Sequence, residues 1–184
     1  IGAATIATNA IVVHLPSLMT DRGFSPQRAA LSLSAMGLAS LAGRLLTGWL
    51  VDRFRGTTVS FVLLLTATAG IALLAQSRSF EAGLPAVVLI GFGLGGELDI
   101  TPFLLTRYFG LRAVSTLYGT TWTIMGIAGA IGPILMGRPF DQTGSYEALL
   151  LWLAIATLAA AALMLTLPVH TLRISKQPVS ASVR

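Results

Sequence analysis

Six times along its 184 residues the chain enters an apolar stretch of roughly twenty residues: Ile1 to Thr20, Gln27 to Val51, Thr57 to Gln76, Leu84 to Thr106, Ala113 to Gly137 and Ala148 to Pro168. A hydrocarbon core about 30 Å thick is crossed by roughly 20 residues of helix, and only a helix or a closed barrel satisfies its backbone inside lipid. Runs of this length and number predict an all-α integral membrane protein with six transmembrane helices. Composition agrees, with 54% apolar and 10% charged residues and a mean hydropathy of +0.81, where soluble domains carry about a quarter charged residues. The chain has no cysteine, so it offers no disulfide framework, thiolate metal site or thiol nucleophile.

The chain begins inside an apolar run, without Met and without the basic start of a signal peptide. It is read as a piece whose N-terminal part is missing. Its net charge of +5 is spread over short loops, so the basic patch of a nucleic-acid binder is not expected. With alternating spans, Arg53, Arg55, Arg107, Arg112, Arg173, Lys176 and Arg184 fall on one side, and Arg22, Arg28, Arg78 and Arg138 on the other. The bias predicts that the first set is cytoplasmic, in a cell (inner) membrane. Residues 1–169 are then a transmembrane bundle and 170–184 a polar cytoplasmic tail.

A repeat is visible. MGLASLAGRLLTGWLVD (Met36 to Asp52) aligns without a gap on MGIAGAIGPILMGRPFD (Met125 to Asp141), with seven of seventeen positions identical at an offset of 89. Helices one to three are thereby matched with four to six. Because three is odd, the copies cross the membrane in opposite senses, the inverted repeat of secondary transporters, whose sites lie near the midplane. The third and sixth spans carry no ionisable residue, as lipid-facing helices should. The first, second, fourth and fifth are left to line a pathway.

Gly91, Gly93 and Gly96 in IGFGLGGELDITPF spell G-x-G-x-x-G. A dinucleotide fingerprint needs a preceding strand, a soluble βαβ unit and an acid about twenty residues on; here the run is apolar, and Glu97 and Asp99 follow at once. The glycines are instead expected to admit close helix contact. Glu97 and Asp99, two residues apart, point about 200° apart on a helix, so one is expected to face a cavity and the other a neighbouring helix. Arg44 lies eight residues, about 12 Å, into its span from Asp52, where an ionisable residue is expensive. Its planar fork matches a carboxylate, of a ligand or of Glu97 or Asp99.

GRLLTGWLVDRFRG (Gly43 to Gly56) resembles the loop motif of the major facilitator superfamily, and RYFGLRAVSTLYG (Arg107 to Gly119) and IGPILMGRPFDQTGSY (Ile131 to Tyr146) resemble the C-terminal half of its monocarboxylate and oxalate/formate branch. Arg55 stands where the stricter motif has Gly, and Thr57 and Thr58 replace downstream basic residues. The resemblance implies helices seven to twelve of a twelve-helix carrier whose other six-helix half is absent. It further implies transport of a small organic anion, a monocarboxylate, by alternating access with proton symport or anion exchange, without cofactor or metal.

On that resemblance Arg44 is the substrate-carboxylate residue. His14, Asn9, Tyr118, Trp122 and Thr123 are further candidates for the cavity, though aromatic and lone His residues in spans also serve as packing. Glu97, the deeper acid, is the candidate for proton coupling and Asp99 the more structural one; both also suit neutralising Arg44 or Arg107. Asp52 and Arg53, with Arg107 or Arg112, are candidates for a cytoplasmic gate. Three rivals stand beside this reading. A membrane-embedded hydrolase built on Ser17 and His14 lacks an activated third partner. A non-transporting sensor or assembly subunit would be favoured by a soluble signalling domain. An exporter of drugs or other small solutes would rely on acids without a matching Arg.

Overall fold

A computed structural model of the chain describes the backbone of residues 2–143 and 146–167, and the side chains within these except those of residues 2–4, 112, 128 and 132–143. Six helices follow in order: α1 Gly2–Asp21, α2 Pro26–Val51, α3 Gly56–Gln76, α4 Phe80–Phe109, α5 Leu111–Thr143 and α6 Glu147–Leu165. Each apolar run has become one helix, and the turn chemistry marks the ends. Ser25 caps α2 by accepting from the Arg28 amide at 3.4 Å, with Pro26 opening the helix, and Ser79 caps α4 by accepting from Ala82 at 3.2 Å. Gly110, at φ +74°, closes α4 in the left-handed region. These caps carry α4 about one turn beyond its apolar run at each end.

The bundle is an all-α, multi-pass membrane arrangement. Among the described residues α2, α3, α4 and α6 are long and apolar enough to cross a bilayer, a smaller set than the six spans expected. The other two expected spans, α1 and α5, each include residues whose side chains lie outside those described.

Helix α4 is the central element, packed between α2 and α3. The G-x-G-x-x-G run explains how. Gly91 and Gly95, one turn apart, lie directly against the backbone of Met36 and Ser40 on α2, while Gly43 of α2 abuts the Phe92 carbonyl. Gly93 and Gly96 turn the other way, onto Leu63 and Ala67 of α3. A Cβ at these positions would overlap a neighbour, so α4 sits closer to both partners than ordinary side chains allow. The remaining pairings are α3 on α6, α1 on α5, α1 on α2 and α6, α4 on α5, and more slightly α2 on α3 and α1 on α4. Exchanging α1–α3 for α4–α6 maps these pairings onto one another except α2 on α3, with α2 on α4 matching α5 on α1, and α3 on α4 matching α6 on α1.

The main core, around Ile11, Leu15, Leu18, Ile71, Leu74, Val87, Ile90 and Leu150, joins α1, α3, α4 and α6 towards the end carrying the α1–α2 turn. At that end Arg22 donates to the Leu74 carbonyl at 2.9 Å and to Ser77 Oγ at 3.3 Å, and Arg78 pairs with Glu147 at 2.7 Å. Burial draws the Arg22 pKa below its ordinary value, against the opposing pull of Glu147. The opposite end carries the α2–α3 turn with Asp52.

Candidate functional site

Arg44 and Asp99 meet across the α2–α4 contact that the glycines create. Arg44 Nη2 donates to Asp99 Oδ1 at 3.1 Å and Nε to Oδ2 at 3.3 Å, a two-pronged grip on one carboxylate. Their side chains keep 50% and 36% of their surface exposed, so the pair lies on an open face of the bundle. Leu38, Leu41, Leu45 and Trp49 of α2 are exposed beside it. Tyr118 of α5 lies within electrostatic range of Arg44, and its ring meets Trp122 edge-on at 6.1 Å. Trp122 is half exposed, and the neighbouring Thr123 hydroxyl is turned back onto the Gly119 carbonyl at 3.0 Å.

Glu97 points the other way, as the 200° offset requires. It is 3% exposed and accepts a hydrogen bond from Thr5 Oγ1 of α1 at 2.7 Å. One turn on, Thr101 donates to the Glu97 carbonyl at 2.9 Å, and on α1 the Asn9 amide donates to the Thr5 carbonyl at 2.9 Å. Asn9 therefore stands beside the Glu97 contact and faces α5 near Gly129. His14 stands apart: nine residues beyond Thr5, about 14 Å along α1, its ring lies 6.3 Å from that of Tyr146.

Among the described residues, no ion pair joins the rim candidates Asp52, Arg53 and Arg107 to one another. Asp52 is the exposed C-cap of α2. Arg53 lies over the Trp49 ring at 4.0 Å, and Arg107 over Phe103 at 5.8 Å. The Arg112 side chain lies outside the described residues, as do that of Asp141 in the repeat and the tail 170–184. Sequence reasoning missed Thr5. A Thr in an apolar run usually bonds its own helix, and only the α1–α4 register shows that this one serves an acid 92 positions away. It also missed Thr47 and Ser60, whose hydroxyls are buried without a partner. The four-residue spacing of each from the α2–α3 turn was the available signal.

Residues 1–133 match the family model described as Major Facilitator Superfamily. The chain belongs to that superfamily, whose members are transport proteins rather than enzymes. Among curated relatives, it is similar to monocarboxylate transporter 13 of Bos taurus, 30% identical over 158 residues covering 85% of this chain and 37% of that protein. It is similar to human monocarboxylate transporter 12 at 27% over 142 residues, covering 75% and 28%. A 3-(3-hydroxy-phenyl)propionate transporter of Escherichia coli (strain K12) is 27% identical over 128 residues, covering 70% and 32%. The chain spans about a third of the length of these relatives.

Proposed function

We propose that this chain is the C-terminal six-helix half of a twelve-helix carrier, built as two inverted three-helix repeats, that moves a small organic anion by alternating access. The observation that carries the reading is the grip of Arg44 on a carboxylate at an open face of α2 and α4. A guanidinium that already holds Asp99 with two prongs has the geometry to hold a substrate carboxylate in its place. Relatives named as monocarboxylate transporters and as a propionate-derivative transporter support a monocarboxylate as cargo, and the correspondence of helix pairings supports the repeat.

In the proposed cycle, the anion replaces Asp99 on Arg44. Asp99, released from the guanidinium, is then open to a proton, which links anion binding to proton binding. Glu97, between α4 and α1, is the second coupling acid; its bond to Thr5 joins the first helices of the two repeats, so its protonation state bears on how they pack. Tyr118 and Trp122 wall the anion's apolar part, with Asn9 and Thr123 at the margin. The Asp52 end is cytoplasmic, and Asp52 pairs with Arg53, Arg107 or Arg112 when that end closes against the complementary half.

The test is uptake of labelled lactate, 3-(3-hydroxyphenyl)propionate and succinate into proteoliposomes holding the full-length carrier, with and without a proton gradient, for wild type, Arg44→Gln and Glu97→Gln. The reading expects a monocarboxylate to be carried, Arg44→Gln to be inactive, and Glu97→Gln to retain exchange without proton drive. Normal uptake by Arg44→Gln, or no uptake of any of the three anions, overturns it.

A further inference from the structure

At the Arg22 end Arg22 donates to the Leu74 carbonyl and Ser77, Arg78 pairs with Glu147, and Arg28 lies over the Phe80 ring at 5.2 Å. At the Asp52 end, among the described residues, no carboxylate lies within ion-pair distance of Arg53, Arg55 or Arg107. One of these three borders a cleft. Pro102, Phe103, Thr106 and Arg107 line a space of about 360 Å³ at the Asp52 end of α4, large enough for a small carboxylate.

The cleft continues the face that holds the Arg44 pair. Asp99, Pro102, Phe103 and Thr106 stand at i, i+3, i+4 and i+7, one stripe of the helix. Arg107 flanks that stripe eight residues, about 12 Å, from Asp99. Among the described residues its charge is the only one in the cleft lining, and the Thr106 proton is committed to the Pro102 carbonyl at 2.8 Å. The guanidinium lies over the Phe103 ring, an arrangement that leaves its N–H edges open to a carboxylate.

We propose that Arg107, seated on Phe103, is an anion-binding subsite at the Asp52 end of the pathway, distinct from the Arg44 site and one step from it along the α4 stripe. Its purpose rests on the transport reading above. It raises the local anion concentration at one face and hands the carboxylate about 12 Å inward to Arg44, and it is free to do so while Asp52 is not paired with it. The affinity gain belongs to one side of the membrane, because the cleft lies at the Asp52 end of α4.

Two measurements on the full-length carrier test this. The chain has no cysteine, so Thr106→Cys, in a carrier with any cysteines elsewhere removed, places one thiol in the cleft. An anionic methanethiosulfonate is expected to react there about tenfold faster than a cationic one, millimolar lactate to slow it, and Arg107→Gln to abolish the preference while Arg107→Lys keeps most of it. In transport, Arg107→Gln is expected to raise KM about tenfold from the cytoplasmic face and to change the outer-face KM much less. A thiol without preference, or one whose preference survives Arg107→Gln, overturns the subsite, as does an equal KM change at both faces. If the thiol arm behaves as expected while no carboxylate of the panel is carried, the subsite stands and the transport reading falls.

Discussion

The open face of α2 and α4 and the interior between α4 and α1 each hold one carboxylate of the same helical turn, and they hold it on different terms. Asp99 is gripped by a full charge and remains partly exposed; Glu97 is 3% exposed and has a neutral hydroxyl for a partner. An ion pair in an open setting adds little to stability and is easily exchanged. A buried acid with a single hydroxyl contact is costly to alter and tied to how two helices pack. One setting suits a ligand that comes and goes, and the other suits a state change of the bundle.

The largest effect is expected where both settings depend on the same contact. Gly95→Ala puts a Cβ onto the Ser40 carbonyl, forcing α2 away from α4 and separating Arg44 from Asp99. Overpacking against backbone is expected to cost about 3 kcal/mol or more, read as a lower unfolding temperature in detergent with loss of uptake. Gly126→Ala, where nothing lies within reach of an added Cβ, is the control; equal stability of the two variants would show that the glycine contact does not position the site.

Next is Arg44→Gln, expected to lower transport by about tenfold or more, the scale of one lost charge-assisted bond to substrate, with the unfolding temperature of wild type. Glu97→Ala reverses the pattern. It leaves the Thr5 hydroxyl buried without this acceptor and empties a packed volume, so a stability loss of about 1–3 kcal/mol is expected, while Thr5→Val loses about 1 kcal/mol. If Arg44→Gln destabilised the protein more than Glu97→Ala, the contrast between an exchangeable face and a structural interior would collapse.

Much of the fold was legible before any coordinates because lipid leaves a chain few options. Six apolar runs became six helices, their ends within about a turn except at the end of α5, which runs on from Gly137 to Thr143, and the separation of Glu97 from Asp99 followed from 100° per residue. Legibility ended where register between helices decides. His14 stood among the cavity candidates as an imidazole within a span, able to hydrogen-bond substrate or relay a proton, and only the fold places it about 14 Å past Thr5, beside the Tyr146 ring. Thr5 itself was invisible, since its partner lies 92 positions away. For Arg44 the sequence offered a ligand carboxylate, Glu97 or Asp99, and which of the two acids it meets fell to which side of α4 faces α2, a matter of where the glycines allow approach.

Asp99→Asn is the smallest perturbation and the sharpest. It keeps the side-chain volume and one hydrogen bond to Arg44 but removes the internal competitor for the guanidinium. Because the pair is open to its surroundings, the unfolding temperature is expected to stay at the wild-type value. A substrate anion no longer has to displace a charged carboxylate, so its apparent affinity is expected to rise, and binding no longer creates a base for a proton, so the response of uptake to an imposed proton gradient is expected to fall. Measuring KM with and without the gradient separates these effects. A lower KM with weakened proton drive assigns Asp99 as the group that exchanges places with the substrate. A lower KM with proton drive intact leaves the coupling to Glu97 alone and keeps the open face for recognition. An unchanged KM would mean that Asp99 does not compete for Arg44, and the difference between the two faces of α4 would then lie only in burial.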